Sequence, residues 1–194
     1  ADQQARKWDH SISGVLYGKT IGLLGVGSIG AELARTAKFF EMKVHGYTRE
    51  SESSRHVDRY FHGQELLEFA SGLDYLVSVL PNTQNTRKIV NAEVLNVLPS
   101  HALFVNVGRG SAVDETALID ALNQQKIAGV VLDVFEQEPL PKEHPFWSTP
   151  NLLMTFHTSA PSLPEDLAKV FIENYKLFAQ GKPLKHLVDF ERGY

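Results

Sequence analysis

The sequence predicts a doubly wound α/β domain built on a parallel sheet. Short apolar runs alternate with segments of helical periodicity along almost the whole chain. The runs are continuous stretches of Val, Leu and Ile rather than an alternation of apolar and polar residues, which suits strands buried on both faces. The first of them ends in the glycine-spaced turn GVGSIG and opens directly into a helical pattern. The 194 residues are enough for one domain of ordinary to large size, or one domain and part of another.

The elements follow in order. Residues 1–18 form a polar, partly helical lead-in that ends at a turn around Tyr17-Gly18-Lys19. TIGLLG is a strand, and SIGAELARTAKFFE a helix with Ile29, Leu33, Ala34, Ala37 and Phe40 at helical spacing. MKVHGY is the second strand. Residues 49–62 are charged and serine-rich, a loop with at most a short strand near Tyr60-Phe61. GQELLEFAS is a short helix, LDYLVSVL a strand stopped by Pro81, and NAEVLNVL a helix stopped by Pro99. ALFVNV, DETALIDALNQQ and IAGVVLDV read as strand, helix and strand. A long loop over 135–150 carries prolines at 139, 141, 145 and 150. NLLMT is the last strand, and PEDLAKVFIENYKLFAQG a last helix with a proline start and glycine stop. The ending KPLKHLVDFERGY has no evident partner within the chain.

Composition narrows the function. A net charge of −4 gives no basic field for a nucleic-acid partner. No apolar run is long enough to span a membrane, and the first residues lack the apolar stretch of a signal peptide. The absence of cysteine excludes disulfides and thiolate metal ligands and fits a cytoplasmic setting; no metal site is expected.

GVGSIG places Gly25, Gly27 and Gly30 in G-x-G-x-x-G spacing between a strand and a helix, the context of a Rossmann-type dinucleotide site. Gly25 allows the tight turn, Gly27 the approach of a diphosphate, and Gly30 close helix–strand packing. A diphosphate there meets free amides and the positive end of the helix dipole. The alternative is a tight turn with no ligand. The second strand ends Tyr47-Thr48-Arg49. NAD sites usually place an acid at this point for the ribose hydroxyls. Thr48 removes that charge and Arg49 offers a planar cation to a 2′-phosphate, so NADP(H) is favoured, with NAD(H) possible. Glu50 and Glu52 act against this reading, and an ordinary solvated Arg49 is the alternative.

Three later apolar runs stop at or shortly before reactive residues. LFVNVGRG delivers Arg109, GVVLDVFEQEP delivers Asp133 and Glu138, and NLLMTFH delivers His157. The carboxyl ends of neighbouring parallel strands line one crevice. A carboxylate beside a histidine stabilises the imidazolium and fixes the tautomer, so the ring exchanges protons near neutral pH. An arginine binds a carboxylate bidentately. Reduction of a 2-keto acid by a nicotinamide needs both functions. Taken singly, Arg109 and Glu138 read equally as solvated residues and His157 as a cap on its strand.

NVGRG, LDVFEQEPLP and the histidine of MTFHTSA, in that order after GVGSIG, resemble the D-isomer-specific 2-hydroxyacid dehydrogenases, most closely the glyoxylate/hydroxypyruvate reductases. The ending VDFERGY resembles the C-terminus of that subgroup, and the likeness runs from Gly18 to Tyr194. It implies that Arg109 binds the substrate carboxylate, that Glu138 pairs with His157, and that His157 is the proton donor in reduction. It further implies that Asp133 accepts a hydrogen bond from the nicotinamide carboxamide. Ser28 and Ile29 would contact the diphosphate, and Thr48 with Arg49 the adenosine ribose. Leu80, Pro81, Val107 and Gly108 would line the cofactor cleft along with Arg109 and His157. Thr86 is a further candidate there, and Ser159 and Ala160 would flank the nicotinamide. Two departures stand out. Phe156 precedes the histidine where the family often has proline, and Thr158-Ser159-Ala160 follows where small residues including glycine are usual.

Family members insert the cofactor domain into a substrate domain. The resemblance therefore implies a dinucleotide-binding domain over 1–180, and a tail over 181–194 belonging to an otherwise missing substrate domain. The chain, which starts at Ala1, reads as a fragment that binds cofactor and turns over poorly. Trp8 and Trp147 lie in segments that help build a homodimer in the family; the alternative is local packing. A nucleotide-sensing module without turnover is the rival function. A formate-dehydrogenase-like enzyme is disfavoured because that subgroup pairs its histidine with glutamine.

Overall fold

The computed structural model describes residues 14–190 together with Gln4, 6–8 and Gly193. The expected helical character of the lead-in falls largely outside the described residues. Seven short strands form the sheet: β1 (Thr20–Leu24), β2 (Lys43–Tyr47), β3 (Arg59–Phe61), β4 (Tyr75–Ser78), β5 (Leu103–Asn106), β6 (Gly129–Leu132) and β7 (Leu152–Met154). All pair in parallel, in the order β3-β2-β1-β4-β5-β6-β7. The order reverses between β1 and β4, so a crevice opens beyond their carboxyl ends, where such sheets bind ligands. The helices are α1 (Ser28–Phe39), α2 (Leu66–Ala70), α3 (Ala92–Val97), α4 (Glu115–Asn123) and α5 (Pro164–Ala179).

Two apolar layers hold the sheet. One joins Phe61, Phe69, Leu73, Leu95, Phe104, Leu118 and Leu122, bringing α2, α3 and α4 onto one face. The other joins Ile21, Leu23, Val44 and Val77 to Ala34 and Ala37 of α1. Side-chain caps start two of these helices: Asn91 accepts from the Val94 amide at 3.1 Å and Asp114 from the Ala117 amide at 3.2 Å, each worth about 1 kcal/mol.

Three details differ from the sequence expectation. On α1 the buried stripe is Gly30, Ala34 and Ala37, while Ile29 and Phe40 are 59% and 47% exposed. The helix lies too close to the sheet for large side chains: a Cβ on Gly30 would fall 2.2 Å from the Gly25 carbonyl oxygen. The 135–150 loop is not irregular throughout, because Pro145–Ser148 forms a 3-10 turn with Phe146 buried. Helix α5 has the expected proline start but buries no residue.

Candidate active site

At the first crossover, β1 runs into Gly25, whose φ of +93° is the left-handed conformation that glycine adopts freely. The turn delivers α1 with Gly27 as its N-cap and no side chain capping its first amides. A Cβ on Gly27 would meet nothing within 4 Å. Open space over uncapped amides at a helix N-terminus is what a diphosphate requires, and Ser28 and Ile29 are exposed there. Across the crevice the Gly108 loop packs on the Leu80 backbone so closely that a Cβ on Gly108 would sit 2.7 Å from the Leu80 nitrogen. Pro81 and Val107 are partly exposed on these two loops.

Beyond β2, the Thr48 amide donates to the Phe61 carbonyl at 3.1 Å and the Thr48 hydroxyl to the Ser51 carbonyl at 2.8 Å. Arg49 is exposed. The Thr86 hydroxyl donates to the Pro81 carbonyl at 2.6 Å and so fastens the 81–86 loop.

The reactive residues follow β5, β6 and β7, three strands in a row. His157 and Glu138 meet directly: the Nδ1 of the ring lies 2.8 Å from Glu138 Oε2. Glu138 Oε1 accepts from the Phe135 amide at 2.9 Å. Partial burial pushes the Glu138 carboxyl up, but the bonds from His157 and Phe135 outweigh it and hold the group below the usual glutamate value. The His157 side chain is 53% exposed. With Nδ1 bound to a carboxylate, Nε2 is the ring nitrogen left to face a ligand.

His157 sits at φ +55°, a left-handed conformation uncommon outside glycine. Asp133 imposes it. Its carbonyl accepts the His157 amide at 2.7 Å. Its carboxylate, on a residue only 4% exposed, accepts from the Thr155 hydroxyl at 2.6 Å, the amides of Thr158 and Ser159 at 3.0 and 3.1 Å, and the Ser159 hydroxyl at 2.7 Å. Burial raises the Asp133 pKa and these four donors more than reverse it, leaving the carboxyl below its ordinary value. The side-chain bonds Asp133 makes among the described residues run to Thr155 at the end of β7 and to the turn that carries His157. Ala160, at the end of that turn, is exposed.

Arg109 is exposed and donates from Nη1 to the Gly108 carbonyl at 2.7 Å. It does not touch the Glu138–His157 pair in this structure. Its loop is fixed by Asn106, fully buried, whose amide donates to the Arg109 carbonyl at 3.0 Å and accepts from the Gly108 amide at 3.1 Å. Sequence reasoning passed over Asn106, although a polar residue closing an apolar run was the signal that found the other three. It also passed over an aromatic shelf beside Glu138. Trp147 donates its indole N–H to the Pro141 carbonyl at 2.8 Å and meets the Phe156 ring at 5.9 Å. The two rings line a hollow of about 490 Å³ with Phe135, Glu138, Pro139 and Leu140. Trp147 therefore packs locally while remaining 48% exposed, and Trp8 is 83% exposed.

Residues 1–159 match the family model described as the NAD binding domain of D-isomer specific 2-hydroxyacid dehydrogenases. The chain belongs to that family. This dehydrogenase domain is 35% identical over 175 residues to glyoxylate/hydroxypyruvate reductase A of Klebsiella pneumoniae subsp. pneumoniae, covering 90% of the chain and 56% of that enzyme. It thus spans about half the length of the curated relatives it matches. A D-isomer specific 2-hydroxyacid dehydrogenase from Xanthobacter autotrophicus Py2, solved with NADPH and MES, superposes with a TM-score of 0.91 at 38% identity, covering 100% of this chain and 80% of that one. The NADPH-dependent glyoxylate/hydroxypyruvate reductase of Sinorhizobium meliloti, solved with NADP and sulfate, gives 0.92 at 31% identity, covering 100% and 62%. Both likenesses include α5 and the segment after it, which lie beyond the family-model match. Among the described residues no helix is long and apolar enough to cross a membrane, and no group of three or more His, Asp or Glu side chains could hold a metal ion.

Proposed function

We propose that this dehydrogenase domain serves an NADP-preferring reductase of small 2-keto acids of the glyoxylate or hydroxypyruvate type. The carrying observation is the Glu138–His157 pair, 2.8 Å apart, set on a turn that the buried Asp133 holds in a strained conformation. The cofactor, when bound, would supply the hydride for the keto carbon. His157 would then give its Nε2 proton to the developing alkoxide, with Glu138 fixing the ring through Nδ1. Arg109, two strands away, holds the substrate carboxylate once its guanidinium leaves the Gly108 carbonyl. Gly25 to Gly30, with the amides of Ser28 and Ile29, hold the diphosphate, and Leu80, Pro81, Val107 and Gly108 wall the cleft. Thr48 and Arg49 favour a 2′-phosphate because no acid closes β2, and the relatives solved with NADPH and NADP support the same preference.

The test is steady-state reduction of glyoxylate and hydroxypyruvate by the intact protein with NADPH and with NADH. His157→Gln is expected to lower kcat on the order of 10²- to 10⁴-fold with little change in cofactor affinity. Wild-type turnover in the His157→Gln variant would overturn the assignment. A homodimer in the cytoplasm is the setting we propose, supported by the half-exposed Trp147, the exposed Trp8 and the lack of cysteine.

A further inference from the structure

Beyond Thr48 and Arg49 the loop carries Glu50 and Glu52, two negative charges where a 2′-phosphate would bind. The structure shows what becomes of Glu52. Its Oε1 lies 2.9 Å from His62 Nε2. The other ring nitrogen, Nδ1, lies 3.0 Å from the Thr48 carbonyl oxygen and 3.2 Å from the Thr48 hydroxyl. That hydroxyl donates its own proton to the Ser51 carbonyl, so toward His62 it is an acceptor. Both nitrogens of His62 therefore face acceptors, and only the doubly protonated ring donates to both. The ring is held from other sides as well. The His62 amide donates to Glu65 Oε2 at 2.7 Å, and the ring stacks on Tyr60 with centroids 6.3 Å apart. The Tyr60 hydroxyl in turn accepts from the Ser54 amide at 2.9 Å, closing the same loop.

We propose that His62 determines cofactor specificity: as an imidazolium wedged between Glu52 and Thr48, it cancels the Glu52 charge and leaves Arg49 to face a 2′-phosphate. The inference rests on the NADP reading above and names the residue that offsets one of the loop's two carboxylates. Two hydrogen bonds and one ring separate the Glu52 carboxylate from Thr48. An uncompensated carboxylate roughly 8 Å from a dianionic phosphate weakens its binding through water on the order of five-fold. NADH has no 2′-phosphate and feels little of this.

The groups facing His62 are Glu52 from the loop, Glu65 from the turn that follows and the Tyr60 phenol from β3. The bond to Glu52 first, and that to the Thr48 carbonyl second, hold the His62 pKa above the ordinary histidine value. The preference for NADPH is therefore complete below that raised pKa and declines as pH climbs through it. A phosphate monoester has its second pKa near ~6, so the decline is read above that point, where the ligand no longer titrates.

The experiment measures dissociation constants of NADPH and NADH by the fluorescence of the bound reduced cofactors, on the intact protein, between neutral and mildly alkaline pH. His62→Gln should weaken NADPH binding about five-fold and leave NADH unchanged. Glu52→Gln should tighten NADPH, and the double variant should return to the wild-type value or better. The alkaline decline should vanish in the two variants that lack His62, and in Glu52→Gln it should move to lower pH because the bond that raises the His62 pKa is gone. Equal weakening of both cofactors by His62→Gln, or no recovery in the double variant, would overturn the His62 assignment while wild-type preference for NADPH left the NADP reading standing. Tighter wild-type binding of NADH would overturn the NADP reading itself.

Discussion

Asp133 shows how much depends on one buried carboxylate. Four donors converge on it, and the backbone they fix presents His157 to Glu138. Its folded pKa is depressed, so its stabilisation is fully present above the ordinary carboxylate pKa and is lost as pH falls through the folded value. Asp133→Asn keeps the shape, and its new NH₂ meets the Ser159 oxygen, which accepts as readily as it donates. What is lost is the charge assistance, about 1–2 kcal/mol at neutral pH. The variant should therefore melt earlier than wild type at pH 7 and lose less stability on acidification below about pH 4. Parallel melting curves across that range would sink the argument. The residue was legible in the sequence as a polar stop after an apolar run, but its work was not. The bonds that reveal it run from residue 133 to 155–159, and no local pattern encodes them. His62 was missed for the same reason, since it lies 14 residues from Thr48 in an unpromising loop.

Among the elements, α1 separates two jobs that its glycines share in the sequence. Gly30 is structural, because a Cβ there would collide with the Gly25 carbonyl at 2.2 Å and push the helix off the sheet. Gly27 has open space above it and an ordinary φ of −79°. Gly30→Ala is expected to destabilise the domain by about 2 kcal/mol or more. Gly27→Ala should alter stability by no more than about 1 kcal/mol, yet weaken NADPH and NADH together, since the new methyl occupies the diphosphate's place. Thermal melts paired with cofactor titrations check both, and a Gly27→Ala protein with wild-type affinity would refute a diphosphate at that helix end. The order of strands and helices was readable throughout because doubly buried strands leave unbroken apolar runs and prolines mark the stops. The inward face of α1 was not, because periodicity counts Ile29 and Phe40 as core while the close approach of helix and sheet admits only Gly30, Ala34 and Ala37.

For the whole molecule, the sheet carries the floor proposed for the cofactor, and that floor is open to solvent. Strands β4 to β7 bring Leu80, Gly108, Asp133 and His157 to one edge in order. The same edge is open: the His157 side chain is half exposed, and Phe156 is 59% exposed beside it. Helix α5 buries nothing, with Phe171 and Phe178 about 70% exposed. Binding a dinucleotide needs the floor, whereas hydride transfer also needs the keto acid oriented and water kept from the reacting atoms. The two functions should therefore come apart in this 194-residue polypeptide. It is expected to bind NADPH within about ten-fold of a full-length reductase of the family, because the residues proposed to hold the diphosphate and ribose lie on the floor. Its kcat with glyoxylate or hydroxypyruvate should be lower by a factor on the order of 10² or more, the scale of a mispositioned reactant. Cofactor titration and turnover measured on the same sample separate the outcomes. Full turnover would show that the Glu138–His157 pair works without further cover, and loss of cofactor binding would show that the floor itself depends on surfaces outside this chain.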